Sequence, residues 1–429
     1  DKDWEQPWVD RSSATLTAGY GEISSGNTRG EMNATIIEVA FHDTPADVDL
    51  LRDPRFRNVI ARANYQALVQ YFNEFDGGPS TLLPDPPQNF ALTQSEGDAT
   101  LLWSAPPTGD IGGGAATGYR VYRSLDGRSF ELVAETSSFV HPVELSTDGP
   151  VYYRVTATNA GGESLPSELM AALPSPAEKP PVLFVNGYDR FDRFNNREEY
   201  PTSPDDDEVE RIFPRVNNAF DYVREYADAL AAAGVSFDST SNDAVIAGAV
   251  DLDDYEAVIW SLGEESLRDQ TFNATERAVL SFYLDNGGKL FVSGSDLAFD
   301  LDENGTDEEQ DFLRGVIRVQ YASDDANTYA ATGQPGTFLE GLGVTFSPDD
   351  SRRYEVDSPD AFFFFAGASV GLKYSTGGNA LVGYPEKAVI MGFPFEMIAD
   401  PAARNDLMAR SLAFLGIETA AFPSAFYIK

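Results

Sequence analysis

Three sets of residues carry side chains whose types and spacing could do chemistry. The first is Glu38, set inside the run Ala34-Thr-Ile-Ile-Glu-Val-Ala-Phe, which has the length and β-branching of a buried strand. A carboxylate in such a strand is costly unless a charge, a metal or a proton-transfer task holds it there. Glu38 therefore reads either as a catalytic acid or as a strand-end Glu whose head reaches water. The second set follows apolar runs in the C-terminal half: Asp189 and Arg190 after PVLFVNGY, Glu264 after YEAVIWSLG, Ser295 and Asp296 after KLFVSG, and Glu396 after AVIMGFPF. Where such runs are parallel strands, ligands sit beyond their carboxyl ends, so these six line a candidate pocket. The third set is the segment 300–311. Asp300, Asp302, Asn304, Thr306 (through its carbonyl), Glu308 and Asp311 fall at positions 1, 3, 5, 7, 9 and 12 of a calcium loop, with Gly305 at the turn. Asp in place of Glu at position 12 departs from that pattern, and a solvated acidic loop is the alternative reading.

The elements that must position these residues fall into three regions. Residues 179–429 alternate continuous apolar strands with helical stretches, Phe220 to Ala233, Glu276 to Asp285 and Ala402 to Leu415, which predicts an α/β doubly wound parallel sheet. Residues 84–174 hold short alternating segments between Gly, Asp and Pro turns, the rhythm of an all-β sandwich. Residues 1–78 end in a helical pattern of Leu50, Leu51, Phe56, Val59, Ile60, Ala63, Leu68, Val69 and Phe72 after an Asp43-Thr-Pro45 turn. Pro-rich joints, Gly77 to Pro87 and Pro174 to Pro181, separate the three, and the second reads as a stiff extended spacer.

Each region resembles a known family. The segment from Ile36 to Phe72 is similar to the closing part of the zinc-dependent N-acetylmuramoyl-L-alanine amidases, with Glu38 at the position of the catalytic Glu. The resemblance covers about 75 residues and implies an α/β amidase-like fragment from a parent that hydrolyses the amide bond between glycan and stem peptide of peptidoglycan. It also implies zinc in the parent amidase, held by two His and one Glu that precede the segment. The chain has only His42 and His141, and neither falls at a zinc-ligand position, so the fragment is expected to be inactive alone. The middle region resembles a fibronectin type III domain, with Trp103, Tyr119, Val121, Tyr153 and Val155 at core positions and Asn159 to Gly162 at a turn.

The third region resembles the class I glutamine amidotransferase-like fold, a flavodoxin-like α/β class. In that family a strand-to-helix elbow bears a Cys nucleophile, and a later His and Glu complete its triad. Here Gly294-Ser295-Asp296 stands at the elbow and Glu396 at the Glu position, while no His occurs in residues 179–429. Without an imidazole the Ser295 hydroxyl has no evident base. The resemblance then implies a non-catalytic relative that packs, binds glycan or peptide, or holds an amidase on its substrate. An unconventional carboxylate hydrolase built from Asp296, Glu396 and Ser295 is the alternative.

Composition narrows the partners. With 69 Asp plus Glu against 30 Lys plus Arg, the formal charge is -39, which repels nucleic acid and anionic membranes and favours cationic partners. Only six of the basic residues are Lys, a usage resembling proteins of salt-rich surroundings. No Cys is present, so disulfides, thiolate metal sites and Cys nucleophiles are excluded. No apolar run approaches the ~20 residues of a membrane span. The resemblances point outside the cytoplasm, to a secreted, periplasmic or cell-surface protein that meets peptidoglycan or another envelope glycan.

Overall fold

The computed structural model of the 429-residue chain describes residues 24, 26–29, 36–77, 81–108, 112–193, 196–199, 209–211, 220–266, 269–346, 354 and 356–420. Two compact units divide it, Asp1–Leu68 and Val69–Lys429. In the first, helix α1 (Pro45–Arg52) opens on a proline, whose missing N–H has no helical partner to lose. Helix α2 (Pro54–Asp76) follows Asp53, whose Oδ1 accepts the backbone N–H groups of Arg55 at 2.8 Å and Phe56 at 3.4 Å and so caps it.

The strand that the sequence predicts around Glu38 is not formed. Residues 36–40 have no regular structure and Glu38 is exposed. A strand persists only by sharing backbone hydrogen bonds with a neighbour, and among the described residues none pairs with this segment. Ile36 and Ile37 stay 39% and 59% exposed, so the apolar run does not become a core.

The second unit begins with a sandwich. Strands β1 (Gln88–Ser95), β2 (Asp98–Ser104) and β5 (Val140–Val143) form one layer. The other comprises β3 (Gly118–Ser124), β4 (Glu131–Thr136), β6 (Val151–Asn159), β7 (Gly162–Glu163) and β8 (Met170–Ala172). Alternation fills the space between them: Leu92, Leu101 and Trp103 from the first layer meet Tyr119, Val121, Tyr153 and Val155 from the second, all buried. Trp103 and Tyr119 meet edge to face at 5.4 Å. The Tyr153 hydroxyl donates to the Glu144 carbonyl at 2.5 Å, the tyrosine corner of such sandwiches.

The rest of the unit is built on five parallel strands: β9 (Val182–Asn186), β12 (Phe237–Ser241), β13 (Ala257–Gly263), β14 (Lys289–Gly294) and β21 (Ala388–Met391). Between β9 and β12 lie the ribbon β10 (Arg197–Glu199) with β11 (Val209–Arg211) and helix α3 (Val223–Ala233). The spatial order is β12-β9-β13-β14-β21, so in chain order the strands run second, first, third, fourth, fifth. The direction of winding reverses between β9 and β13. Both faces are apolar because both are covered. Phe184, Ile259 and Phe291 pack toward α3 and α7 (Pro401–Phe414), while Val185, Trp260 and Val292 pack toward α5 (Ala274–Asp285). Beyond β21 the sheet continues antiparallel through β20 (Asn379–Tyr384), β19 (Ser369–Tyr374), β16 (Ala330–Gly333) and β17 (Gly343–Thr345), and a separate ribbon joins β15 (Val319–Ser323) to β18 (Ala361–Phe364).

The sandwich and the α/β region are joined through their backbones. Strand β1 pairs antiparallel with β12, Ala91 opposite Thr240 and Leu92 opposite Ser239, and one sheet of twelve strands results. Beside this ladder the Ser239 hydroxyl accepts from the Ala171 N–H at 2.8 Å and donates to the Ala171 carbonyl at 2.7 Å. Asp238, fully buried, takes the backbone N–H and side-chain amide of Gln94, both at 2.8 Å, and the Tyr255 hydroxyl at 2.9 Å. The spacer predicted at Pro174 to Pro181 is instead part of this seam. Ser175 N–H donates to Gln94 Oε1, Glu96 N–H to the Glu178 carbonyl, and the Glu256 and Ala257 N–H groups to the Pro181 carbonyl. Proline rigidity sets the segment's extended path, but buried backbone must find partners, and the neighbouring strands supply them.

Candidate functional site

The strand ends on either side of the winding reversal carry the densest set of ionisable groups. Gly263 closes β13 at φ +51°, and a Cβ there would lie 2.4 Å from the Tyr188 ring. Only glycine lets the chain turn against that ring and deliver Glu264 and Glu265 into the crevice. Glu265 Oε1 accepts the N–H groups of Asp189 and Arg190, each at 2.7 Å, which fixes the loop after β9. The Arg190 guanidinium donates to Asp192 at 3.2 Å and to the Glu264 carbonyl at 2.7 Å. Glu264 Oε1 accepts the Asp357 N–H at 2.6 Å.

A second layer of polar groups adjoins Asp189. Asn242, which opens the short helix α4 (Asn242–Ile246), donates to Asp189 at 3.5 Å and to Glu276 at 3.1 Å. Glu276 also receives the Asn273 N–H at 2.7 Å in the capping box of α5. From the sandwich tail, half-buried Glu168 accepts from Asn186 at the end of β9, at 2.7 Å.

Burial and mutual repulsion push these acids toward the neutral form. Asp189, exposed to solvent on one side, is raised to about 6 by the desolvation of its carboxyl, then by the charges of Asp243 and Asp269, against the Asn242 hydrogen bond. Burial lifts Glu276 to about 7 and Glu168 to about 8, and Asp189 and Asp243 add to both. Glu264 and Glu265 stand well above the carboxylate range, burial first and then Asp357 and Asp189 respectively. Asp296 rises to about 7 through burial and Asp324, with Arg190 opposing. Such a cluster holds protons near neutral pH and is poor in cations.

Of the residues singled out in the sequence, Asp189, Arg190 and Glu264 come together here, and Asp296 lies within electrostatic range of Arg190 and Glu264. Asp296, not Ser295, holds the left-handed conformation at the elbow, φ +58°. The Ser295 hydroxyl is fully buried and has no hydrogen-bond partner among the described residues. Glu396 is fully buried behind this layer, in a cage where Tyr354 donates at 2.5 Å and Tyr226 at 2.9 Å, Tyr226 also meeting the Ser293 hydroxyl of β14 at 2.8 Å. Glu38 belongs to the other compact unit.

The six calcium-loop positions do not form a loop. Residues Phe299–Glu303 make a π-helical turn, and α6 (Asp307–Asp311) starts at Thr306 with a capping box to Glu309. Asp300 accepts the Thr271 N–H at 3.0 Å, and Asp302 accepts the Tyr321 N–H at 2.7 Å and pairs with Arg314. Asn304 donates to the Phe299 carbonyl, and Glu308 and Asp311 are exposed on α6. Alternating acids suit a calcium loop, but acids near a helix N-terminus also suit the helix itself, and that use prevails here.

Sequence reasoning missed Glu265, Asn242, Glu276 and Glu168. Glu265 directly follows Glu264, so the doublet was a usable signal. Glu168 carries none, because its place beside β9 depends on the seam between modules.

No protein-family model and no curated protein matches the chain. Solved structures similar to it contain fibronectin type III domains. A titin crystal structure is 28% identical over 20% of this chain and 30% of that one, TM-score 0.19, so the chain spans under a third of it. An Fn3-like protein from Clostridium thermocellum is 26% identical over 20% and 90%, TM-score 0.18. The sixth such domain of a human fibronectin type III domain containing protein is 25% identical over 24% and 94%, TM-score 0.19. The chain carries a β-sandwich, β1–β8, similar over this part to those fibronectin type III structures, followed by a doubly wound α/β body whose acidic strand ends lie at the reversal of winding.

Proposed function

We propose that the sandwich and α/β body form a non-catalytic scaffold of the cell envelope, exported from the cytoplasm, that binds peptidoglycan or another envelope glycan. The observation that carries this reading is the state of the groups that amidotransferase-like chemistry would need. The Ser295 hydroxyl is fully buried without a hydrogen-bond partner among the described residues, Glu396 is held by two tyrosine hydroxyls, and no His lies in residues 179–429, while acids gather at the strand ends. The order of the parallel strands supports a flavodoxin-like, amidotransferase-like class for this body. Sedimentation of the full chain with insoluble peptidoglycan, and with a neutral polysaccharide as control, tests the binding. Protein left in the supernatant with both would refute it.

A second reading, a peptidoglycan amidase as the parent protein, is favoured by helix α1, which begins at Pro45 after the turn that the resemblance includes. The exposed, unpaired setting of Glu38 gives it no support. Zinc content and stem-peptide release by the full-length gene product test it, and a metal-free, inert product would remove it.

A further inference from the structure

The crevice beside β9 has a surplus of hydrogen-bond acceptors. Glu265 is 1% exposed and its Oε1 is occupied by two N–H groups, yet its Oε2 has no partner among the described residues. Asn186, 2% exposed, donates its amide to Glu168, and its Oδ1 is likewise without a partner. Two buried acceptors on adjacent strands, β9 and the end of β13, thus stand unanswered at the same edge of the sheet. A buried acceptor without a donor is costly, and native proteins keep such groups mainly where a ligand or water answers them.

What would answer them is a donor with positive charge. The charge of Asp189 disfavours the ionisation of Glu265, and Asp189 and Asp243 do the same to Glu168. Asn242 already holds Asp189 and Glu276, and the Arg190 head holds Asp192 and the Glu264 carbonyl, while Trp260 Nε1 beside Gly187 is a neutral donor without a partner among the described residues and brings no positive charge. A hard divalent ion needs ~6 oxygens in a tight shell, and no three carboxylates among the described residues come close enough to begin one. An ammonium group asks for three acceptors on one side of a tetrahedral nitrogen and leaves its carbon stem outside.

We propose that this crevice binds a primary ammonium group, with Glu265 Oε2 and Asn186 Oδ1 as its acceptors and Asp189 and Glu168 supplying negative charge around it. The inference deepens the scaffold reading and rests on it for the ligand's source, the side-chain amine of a wall stem peptide. The sandwich then takes part directly, because Glu168 reaches the site from the sandwich tail. Asp189 is exposed, so the site meets solvent on its side.

The test is calorimetric titration of the full chain with N-α-acetyl-L-lysine methylamide, and with the same compound acetylated on its ε-nitrogen. The free amine is expected to bind at least tenfold more tightly than its acetylated twin. Glu265→Gln, which exchanges the unanswered acceptor for a donor, should weaken the free amine at least tenfold. Glu168→Gln, at a half-buried position outside the core, should weaken it severalfold with an unchanged melting midpoint, so the proposal stays testable if Glu265→Gln misfolds. Equal binding of the two compounds, no binding of either, or stoichiometric displacement of the amine by calcium chloride would overturn it. Amine binding without sedimentation on peptidoglycan would remove the wall as source and leave the site. Sedimentation without amine binding would remove the site and leave the scaffold.

Discussion

Gln94→Ala tests the seam between the two modules. The substitution deletes the amide that donates to Asp238 at 2.8 Å, to the Leu173 carbonyl at 3.1 Å and to the Phe237 carbonyl at 3.2 Å, and the acceptor for the Ser175 N–H at 2.9 Å. The neutral bonds together are worth about 2 kcal/mol, and the bond to an ionised carboxylate about 2 kcal/mol more. Burial, opposed by the Gln94 and Tyr255 hydrogen bonds, raises Asp238 to about 6 from its ordinary 3.8. The ionised form in the folded chain is therefore penalised by about 3 kcal/mol. Because the folded value is the higher one, stability from this group is full below about pH 4 and is lost as pH rises through 6. Removing the Gln94 donor raises Asp238 further and carries that loss higher in pH. Urea unfolding of the full chain, followed by tryptophan fluorescence, should show Gln94→Ala costing about 4 kcal/mol at pH 7.5 and about 2 kcal/mol at pH 5. Equal losses at the two pH values, or a larger one at pH 5, would refute the assignment of Asp238 as the charged centre of the seam.

Three further outcomes follow from the same geometry. Tyr354→Phe strips one donor from buried Glu396 and should destabilise the chain by about 2 kcal/mol in urea unfolding, whereas Ser295→Ala, at a hydroxyl with no partner, should stay within about 0.5 kcal/mol of the parent. Ammonium binding should strengthen between pH 6 and 8 in titration calorimetry. Asp189 near 6, Glu276 near 7 and Glu168 near 8 lose their protons across that range, while Asp243 and Asp269 facing them set the background field. Calcium chloride and chelator should leave the melting midpoint equal, because Asp300 and Asp302 are already taken by Thr271, Tyr321 and Arg314; a calcium-dependent rise would restore the loop reading.

How far the sequence could be read depended on whether the governing interactions are local. Period-two alternation buried Trp103, Tyr119, Val121, Tyr153 and Val155 as the pattern implies, and continuous apolar runs marked β9, β13, β14 and β21 as strands covered on both faces. The coming together of Asp189, Arg190 and Glu264 was legible because strand ends on either side of a winding reversal converge. The burial of Ser295 and Glu396 was not, because a linear place beyond a strand says nothing of which way the side chain turns. Glu38 fails similarly, since an apolar run becomes a strand only when another strand meets it. The β1–β12 ladder, which joins residues 91 and 240, has no sequence signature at all.

The twelve-stranded sheet has a mechanical consequence. With neighbouring strands ~4.8 Å apart, eleven spacings carry an unbroken backbone ladder ~50 Å from β5 to β17. A linker between domains would let them swivel, but a shared ladder transmits torque, so a pull on the sandwich moves the crevice as a lever moves its tip. A molecule gripped there is held at a fixed reach and angle from whatever surface anchors the sandwich.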